Sequence, residues 1–204
     1  MSNRVAIINH GLSNLSSIAR ALERCGGKVS ITEDPDDLAQ ADRIVLPGVG
    51  SFPAAMANLS AKGLDRALQN EVARRRVPVL GICLGMQLLA DSSAESGQTR
   101  GLGLIPGEVI RLEAKGEERI PHMGWNAVEI LQTHPLFAGV SPQADFYFVH
   151  SYHLRCSPDH VVTRTPFCAG FVSAAASGSI MAVQFHPEKS QKQGFKLLSN
   201  FLAI

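Results

Sequence analysis

Charge of one sign is missing from this chain: 19 Lys and Arg stand against 18 Asp and Glu over 204 residues. Without a basic excess or a basic patch, nucleic acid is not an expected partner. The densest cationic run, Arg74-Arg75-Arg76, closes a predicted helix, where cations suit the negative end of the dipole. Long apolar runs are missing as well. No stretch is long enough to span a bilayer, and only Val5 to Ile8 follows Arg4, so neither a membrane association nor a secretory leader is expected. The four cysteines, Cys25, Cys83, Cys156 and Cys168, contain no C-x-x-C pair and no zinc-like spacing. That predicts a reduced, cytoplasmic protein without a disulfide framework. The phosphate-cradling patterns G-x-G-x-x-G and G-x-x-x-x-G-K-[ST] are absent, so no nucleotide site is indicated. Nor is there an internal repeat or a low-complexity linker, and the expectation is one domain over residues 1–204.

What is present suffices for a sizeable core, since 45% of the residues are apolar. The first half alternates strand and helix at short intervals. Arg4 to Asn9 reads as a buried strand, and Ser13 or Asn14 is placed to cap the helix that carries Leu15, Ile18, Ala19 and Leu22. Gly26-Gly27 stops that helix. Lys28 to Ile31 is a second strand, Asp34 to Leu38 opens a short helix with Pro35 in its first turn, and Arg43 to Leu46 is a third strand. Helical pattern covers Pro53 to Leu59 and then Leu64 to Arg76. This alternation predicts an α/β fold: a parallel-centred mixed sheet flanked by helices.

Beyond residue 100 the pattern changes. Short β-like runs occur at 108–112, 127–130, 146–149, 161–165, 170–175 and 180–184, and they predict a mainly antiparallel β element in the C-terminal half. A last helix covers about Gln191 to Leu202, with Phe195, Leu198 and Leu202 on one face. The polar segment Ala90 to Arg100 is predicted to be a mobile loop.

The stretch around which the rest is organised is Pro78-Val79-Leu80-Gly81-Ile82-Cys83-Leu84-Gly85-Met86-Gln87-Leu88-Leu89. It reads as a buried strand, a tight turn and the start of a helix, with Cys83 at the turn. Such a turn lifts a nucleophile to the rim of a sheet, and glycines are needed where strand and helix approach too closely for a Cβ. Backbone N–H groups at the helix start favour a thiolate and can hold an oxyanion. The competing reading is a buried structural cysteine.

A cysteine nucleophile needs a base and a group that orients it. Of seven histidines, His186 differs by context. It follows a buried strand and precedes Pro187-Glu188, and the proline forces an extended or turned chain in which His186 and Glu188 can point the same way. His10, His122, His134, His150, His153 and His160 fit ordinary hydrogen-bonded roles. The turn Pro47-Gly48-Val49-Gly50 follows a strand and can turn backbone N–H groups toward the same crevice, although on this motif alone a plain β-to-α turn is the better explanation.

These residues together resemble the class I, triad-type glutamine amidotransferases, and within that class the glutaminase subunits of imidazole glycerol phosphate synthases. The carrying segments are Leu46 to Phe52, Gly81 to Gln87, Pro121 to Asn126, Phe148 to Tyr152 and Gln184 to Ser190. The resemblance implies a Cys83–His186–Glu188 triad. It implies an oxyanion hole from Leu84 and from Gly48, Val49 and Gly50, and glutamine binding by Gln87, Ser151 and Tyr152. It places His122, Trp125, Asn126 and Lys189 near a partner. It implies no metal and no cofactor, and a heterodimer with a separate (β/α)₈-barrel cyclase that uses the ammonia in histidine biosynthesis. One segment departs from the family pattern: Asn9-His10-Gly11-Leu12-Ser13-Asn14 stands where Asp-Tyr-Gly-x-Gly-Asn is usual. That departure keeps a second destination for the ammonia open, a paralogous acceptor such as a sugar-modifying synthetase. A catalytically silent scaffold and a free-standing γ-glutamyl hydrolase are further readings. The intact triad counts against the scaffold, and the Pro121 to Asn126 segment against the free-standing hydrolase.

Overall fold

A computed structural model describes residues 3–204. The chain runs β1 (Arg4–Ile8), α1 (Leu15–Arg24), β2 (Lys28–Thr32), β3 (Arg43–Leu46), α2 (Phe52–Ala61), α3 (Leu64–Arg75), β4 (Val79–Ile82) and α4 (Leu84–Leu88). Ten strands follow: β5 (Ser92–Ser93), β6 (Thr99–Arg100), β7 (Gly107–Arg111), β8 (His122–Ala127), β9 (Glu129–Ile130), β10 (Asp145–His150), β11 (Tyr152–Cys156), β12 (Val161–Thr165), β13 (Phe171–Ser177) and β14 (Ile180–Val183). Helix α5 (Gln191–Ala203) ends the chain.

One eight-stranded sheet, in the order β2-β1-β3-β4-β14-β13-β12-β9, forms the frame. Its first five strands are parallel, and β13, β12 and β9 continue it antiparallel. The inner parallel strands β1, β3, β4 and β14 are apolar on both sides because both sides are covered, whereas the edge strand β2 is largely exposed. Val5, Ile7, Val45 and Leu80 face α1 and α5, packing with Ile18, Leu22, Leu197 and Phe201. Ala6, Ile8, Ile44 and Leu46 face α2 and α3, packing with Phe52, Leu59, Leu64 and Leu68.

The C-terminal β element is mainly antiparallel, as expected, and most of it is continuous with the central sheet. Strands β14, β13, β12 and β9 extend the central sheet, and β14 lies parallel to β4 with Val183 opposite Ile82. Only β10-β8 and β11-β7-β5-β6 form separate small sheets among the described residues. Residues 90–100, expected to be a mobile loop, instead hold the β5–β6 hairpin, and the Glu95 carboxylate accepts from the Phe52 N–H at 2.9 Å. Neither Ser13 nor Asn14 caps α1 through its side chain. Ser13 Oγ is engaged at 3.2 Å by His10 Nε2, which draws the turn after β1 toward the Pro47 carbonyl.

Candidate active site

Strand β4 leads into Cys83, and its parallel neighbour β14 runs out toward His186. Neighbouring strands lie about 4.8 Å apart, so this pairing alone brings the two side chains to one rim of the sheet. The Cys83 N–H closes the pairing by donating to the Val183 carbonyl at 2.8 Å. Cys83 has φ 55° and ψ −110°, a strained conformation for a residue with a Cβ, as expected of a sharp strand-to-helix turn. The glycines around it are sterically required. A Cβ on Gly85 would sit 1.7 Å from the Leu46 carbonyl oxygen, and one on Gly81 would sit 2.6 Å from Leu89 Cδ1.

The His186 side chain is 3% and the Glu188 side chain 1% exposed, so the pair is sealed from water. His186 Nδ1 donates to Glu188 Oε1 at 2.9 Å. The turn that aligns them is fixed by Ser190, whose Oγ donates to the His186 carbonyl at 2.6 Å and accepts from the Tyr147 N–H at 3.0 Å. Burial by itself pulls the imidazole toward its neutral form. The Cys83 side chain and the Glu188 carboxylate more than offset this, and the His186 pKa rises to about 9. His186 Nε2 is buried without a hydrogen-bond partner, which leaves it free for a reacting group.

Cys83 opens into a cavity of about 400 Å³. Of the residues assigned to substrate or oxyanion binding, Val49, Gly50, Leu84, Gln87, Ser151 and Tyr152 line it. Gly48 packs behind the wall, where a Cβ would come within 2.9 Å of Leu84 Cβ. Gln87 spends its amide nitrogen internally, donating to the Tyr152 carbonyl at 2.8 Å and to Gln184 Oε1 at 3.1 Å, so only its Oε1 has capacity left for a ligand. Two of the expected oxyanion donors are also engaged. The Val49 N–H donates to the Leu12 carbonyl at 2.8 Å, and the Leu84 N–H to the Gly48 carbonyl at 3.3 Å.

The predicted partner residues separate. Trp125 and Lys189 are exposed and bracket Tyr147, the indole at 6.1 Å between ring centroids and the Lys189 Nζ 5.6 Å from the ring. Asn126 is half-buried. His122 is 4% exposed, because alternation along β8 turns it inward while Met123 and Trp125 face out. Its Nδ1 lies 3.0 Å from His150 Nε2.

Glu95, Pro121, Val149 and His150 also line the cavity, and none of them was assigned to it from sequence. Glu95 sits in a polar hairpin with no motif, and His150 gains its place only when β10 pairs with β8. Among the described residues, no three His, Cys, Asp or Glu side chains are grouped to hold a metal ion, and no helix is long and apolar enough to cross a membrane.

Known proteins resemble this chain over nearly its whole length. Residues 6–204 match the family described as glutamine amidotransferase class-I. The chain is 46% identical over 200 residues to the imidazole glycerol phosphate synthase subunit HisH 1 of Campylobacter jejuni, covering 98% of this chain and 100% of that one. It is 48% identical over 198 residues to the HisH subunit of Moorella thermoacetica, with 97% of this chain and 93% of that one covered. Solved structures share the fold at lower identity. PurLQS from Thermotoga maritima has a TM-score of 0.74 at 18% identity, covering 100% of this chain and 98% of that one. With an elbow cysteine beside a His–Glu pair, and a match along nearly its whole length, the chain belongs to the class-I glutamine amidotransferases, in the branch of the HisH subunits of imidazole glycerol phosphate synthase.

Proposed function

We propose that this chain hydrolyses glutamine through Cys83, His186 and Glu188 and delivers the ammonia to a separate (β/α)₈ cyclase subunit. That subunit uses it to form imidazole glycerol phosphate and aminoimidazole carboxamide ribotide in histidine biosynthesis. The observation that carries the reading is the placement of Cys83 and His186 at adjacent parallel strand ends, with Glu188 2.9 Å behind the imidazole.

The chemistry follows from the protonation state. At neutral pH His186 is an imidazolium with Nδ1–H on Glu188 and Nε2–H turned to the reacting side. The Cys83 thiolate attacks the side-chain amide carbon of glutamine. Nε2 gives its proton to the departing nitrogen, the C–N bond breaks, and ammonia leaves a γ-glutamyl thioester. Neutral His186 then takes a proton from water, hydroxide attacks the thioester carbon, and the C–S bond breaks to release glutamate and restore the thiolate. Glu188 keeps the imidazole in the required orientation throughout.

Substrate orientation falls to the cavity's polar groups. Glu95 is the carboxylate among the lining residues, and it is braced by the Phe52 N–H, which suits it to the α-ammonium of glutamine. The oxyanion hole is closed in this conformation, and one peptide unit closes it. The Gly48 carbonyl and the Val49 N–H belong to the same peptide plane, and they occupy the Leu84 N–H and the Leu12 carbonyl respectively. Turning that plane frees the Leu84 N–H and brings the Val49 N–H toward the cavity. The isolated chain is therefore a weak glutaminase, and partner binding completes the hole.

A glutamine-like diazoketone tests the assignment of the nucleophile. Peptide mass spectrometry is expected to find the adduct on Cys83 and on none of Cys25, Cys156 or Cys168. An adduct elsewhere, or labelling that persists undiminished in Cys83→Ala, contradicts the reading.

A further inference from the structure

A line of hydrogen bonds crosses the protein from strand β8 to the Cys83 sulfur without using either His186 or Glu188. At its inner end Gln184, fully buried, donates from Nε2 to Cys83 Sγ at 3.7 Å. Gln184 Oε1 accepts from Gln87 Nε2 at 3.1 Å, and the same Gln87 nitrogen donates to the Tyr152 carbonyl at 2.8 Å. That carbonyl also takes His150 Nδ1 at 2.8 Å. His150 and His122 are directly opposed in the β8–β10 ladder, 3.0 Å apart from Nε2 to Nδ1. His122 Nε2 then meets Asn126 Nδ2 at 3.4 Å.

The direction of every bond is determined. The Tyr152 carbonyl can only accept, so His150 carries its proton on Nδ1 and presents a lone pair at Nε2. His122 must therefore donate from Nδ1 and accept at Nε2. Asn126 is oriented to supply that proton, because its Oδ1 already accepts from the Ala127 N–H at 2.9 Å. This requires both imidazoles to be neutral, and burial achieves it: His122 is pushed down to about 4 and His150 to about 3. Glu118, which pulls His122 upward, is too weak to reverse this, and His153 and His186 push His150 further down. The His122 ring is clamped as well, stacked on Phe167 at 4.0 Å and tilted on Phe148 at 4.9 Å between centroids.

We propose that Gln184 is a positioning residue for the Cys83 sulfur and that the His122–His150 pair is the strut that holds it, through Tyr152 and Gln87, in the donating orientation. The proposal rests on Cys83 being the nucleophile. An amide that could rotate would offer the sulfur its carbonyl oxygen half the time. The chain of bonds forbids this, because Gln184 Oε1 is held by Gln87, Gln87 by the Tyr152 carbonyl, and that carbonyl by a histidine with only one compatible tautomer.

The test is the rate of Cys83 labelling by the glutamine-like diazoketone, measured against reagent concentration so that the maximal rate and the half-saturating concentration separate. Gln184→Met is expected to lower the maximal rate about tenfold, the scale of one lost hydrogen bond to a reacting group, with the half-saturating concentration unchanged. His122→Phe, whose ring fits the same stack, is expected to lower it severalfold. His122→Asn places an amide N–H near the lost Nδ1–H and is expected to restore most of the rate. The double variant Gln184→Met/His122→Phe is expected to be no slower than Gln184→Met alone, since both cut one chain of bonds. Asn126→Leu, at the half-buried outer end, repeats the question where the fold is least at risk, with a smaller loss expected. Wild-type rates in His122→Phe and Asn126→Leu, additive losses in the double variant, or equal losses in His122→Phe and His122→Asn overturn the strut. Labelling that never reaches Cys83 in the unaltered protein instead removes the nucleophile reading, and the strut with it.

Discussion

Protonation of His186 sets the pH window of the site. With its pKa raised to about 9, the imidazolium that the proposed mechanism uses to expel ammonia is present at neutral pH and is lost as pH passes about 9. Glutaminase kcat is therefore expected to fall on that alkaline limb. Glu188→Gln removes one of the groups that raise the imidazole. It is expected to move the limb to lower pH and to cut kcat about a hundredfold, as a pH–rate profile of the two proteins would show. If the limb stays in place, Glu188 does not tune the base. The same shift links to stability. A folded-state pKa above the ordinary histidine value of 6.5 stabilises the fold fully below about pH 6.5, and that contribution fades as pH rises through about 9. Urea midpoints are expected to decline across this window in the unaltered protein and to decline less in His186→Asn. Glu95→Gln is expected to raise KM for glutamine about tenfold with a smaller change in kcat, because the proposed binding mode sets this cavity-lining carboxylate against the substrate's ammonium rather than the reacting carbon. An unchanged KM assigns the ammonium to another group.

At the scale of elements, the elbow and the strand beside it decide everything else. Gly85→Ala forces a Cβ to within 1.7 Å of the Leu46 carbonyl, backbone against backbone, so β3 and α4 must separate. The expected cost is about 3 kcal/mol or more, read as a lower urea midpoint, whereas Gly50→Ala meets no atom and strains only its own positive φ of 97°. Equal midpoints for the two variants would contradict the packing described. The elbow was legible in the sequence because its signal is local: an apolar run, then Cys83 between close glycines. Strands β1 to β4 and both helical layers were legible from short strand-like runs and 3.6-residue spacing, whereas the run that forms β14 was expected to be antiparallel and pairs parallel with β4. The position of β14 beside β4 was not legible, since sequence periodicity carries no information on which distant strands pair. Strand β8 was missed over most of its length because its inward residues are His122, Gly124 and Asn126, so the buried face shows no apolar alternation. The residues of the strut were hidden by the same fact. Gln87 was singled out for substrate, and it braces Gln184, a role visible only once the side chains are placed.

At the scale of the whole molecule, an apolar area beside the site lies uncovered among the described residues. Met123 is 64% and Trp125 48% exposed, Met123 stands opposite Val149 in the β8–β10 ladder, and Val149 and the exposed Val49 both line the Cys83 cavity. This is where a cyclase subunit must sit if it is to receive ammonia and to act on the Gly48–Val49 peptide. Trp125 is the chain's single tryptophan, so its fluorescence reports that contact directly. Addition of the cyclase subunit is expected to shift its emission to shorter wavelength, and Trp125→Ala is expected to weaken association by about 2 kcal/mol. Emission unchanged on binding would place the partner on another face. Triad, closed oxyanion hole and docking surface meet in one quantity, the rate of glutamate release. It should be followed for the chain alone and with the cyclase subunit plus its nucleotide ligand, with Cys83→Ala as the control. Slow release by the chain alone, a large rise with the liganded partner, and none in Cys83→Ala is the predicted result. Full turnover by the isolated chain would contradict the closed hole, and turnover that survives Cys83→Ala would contradict the nucleophile itself.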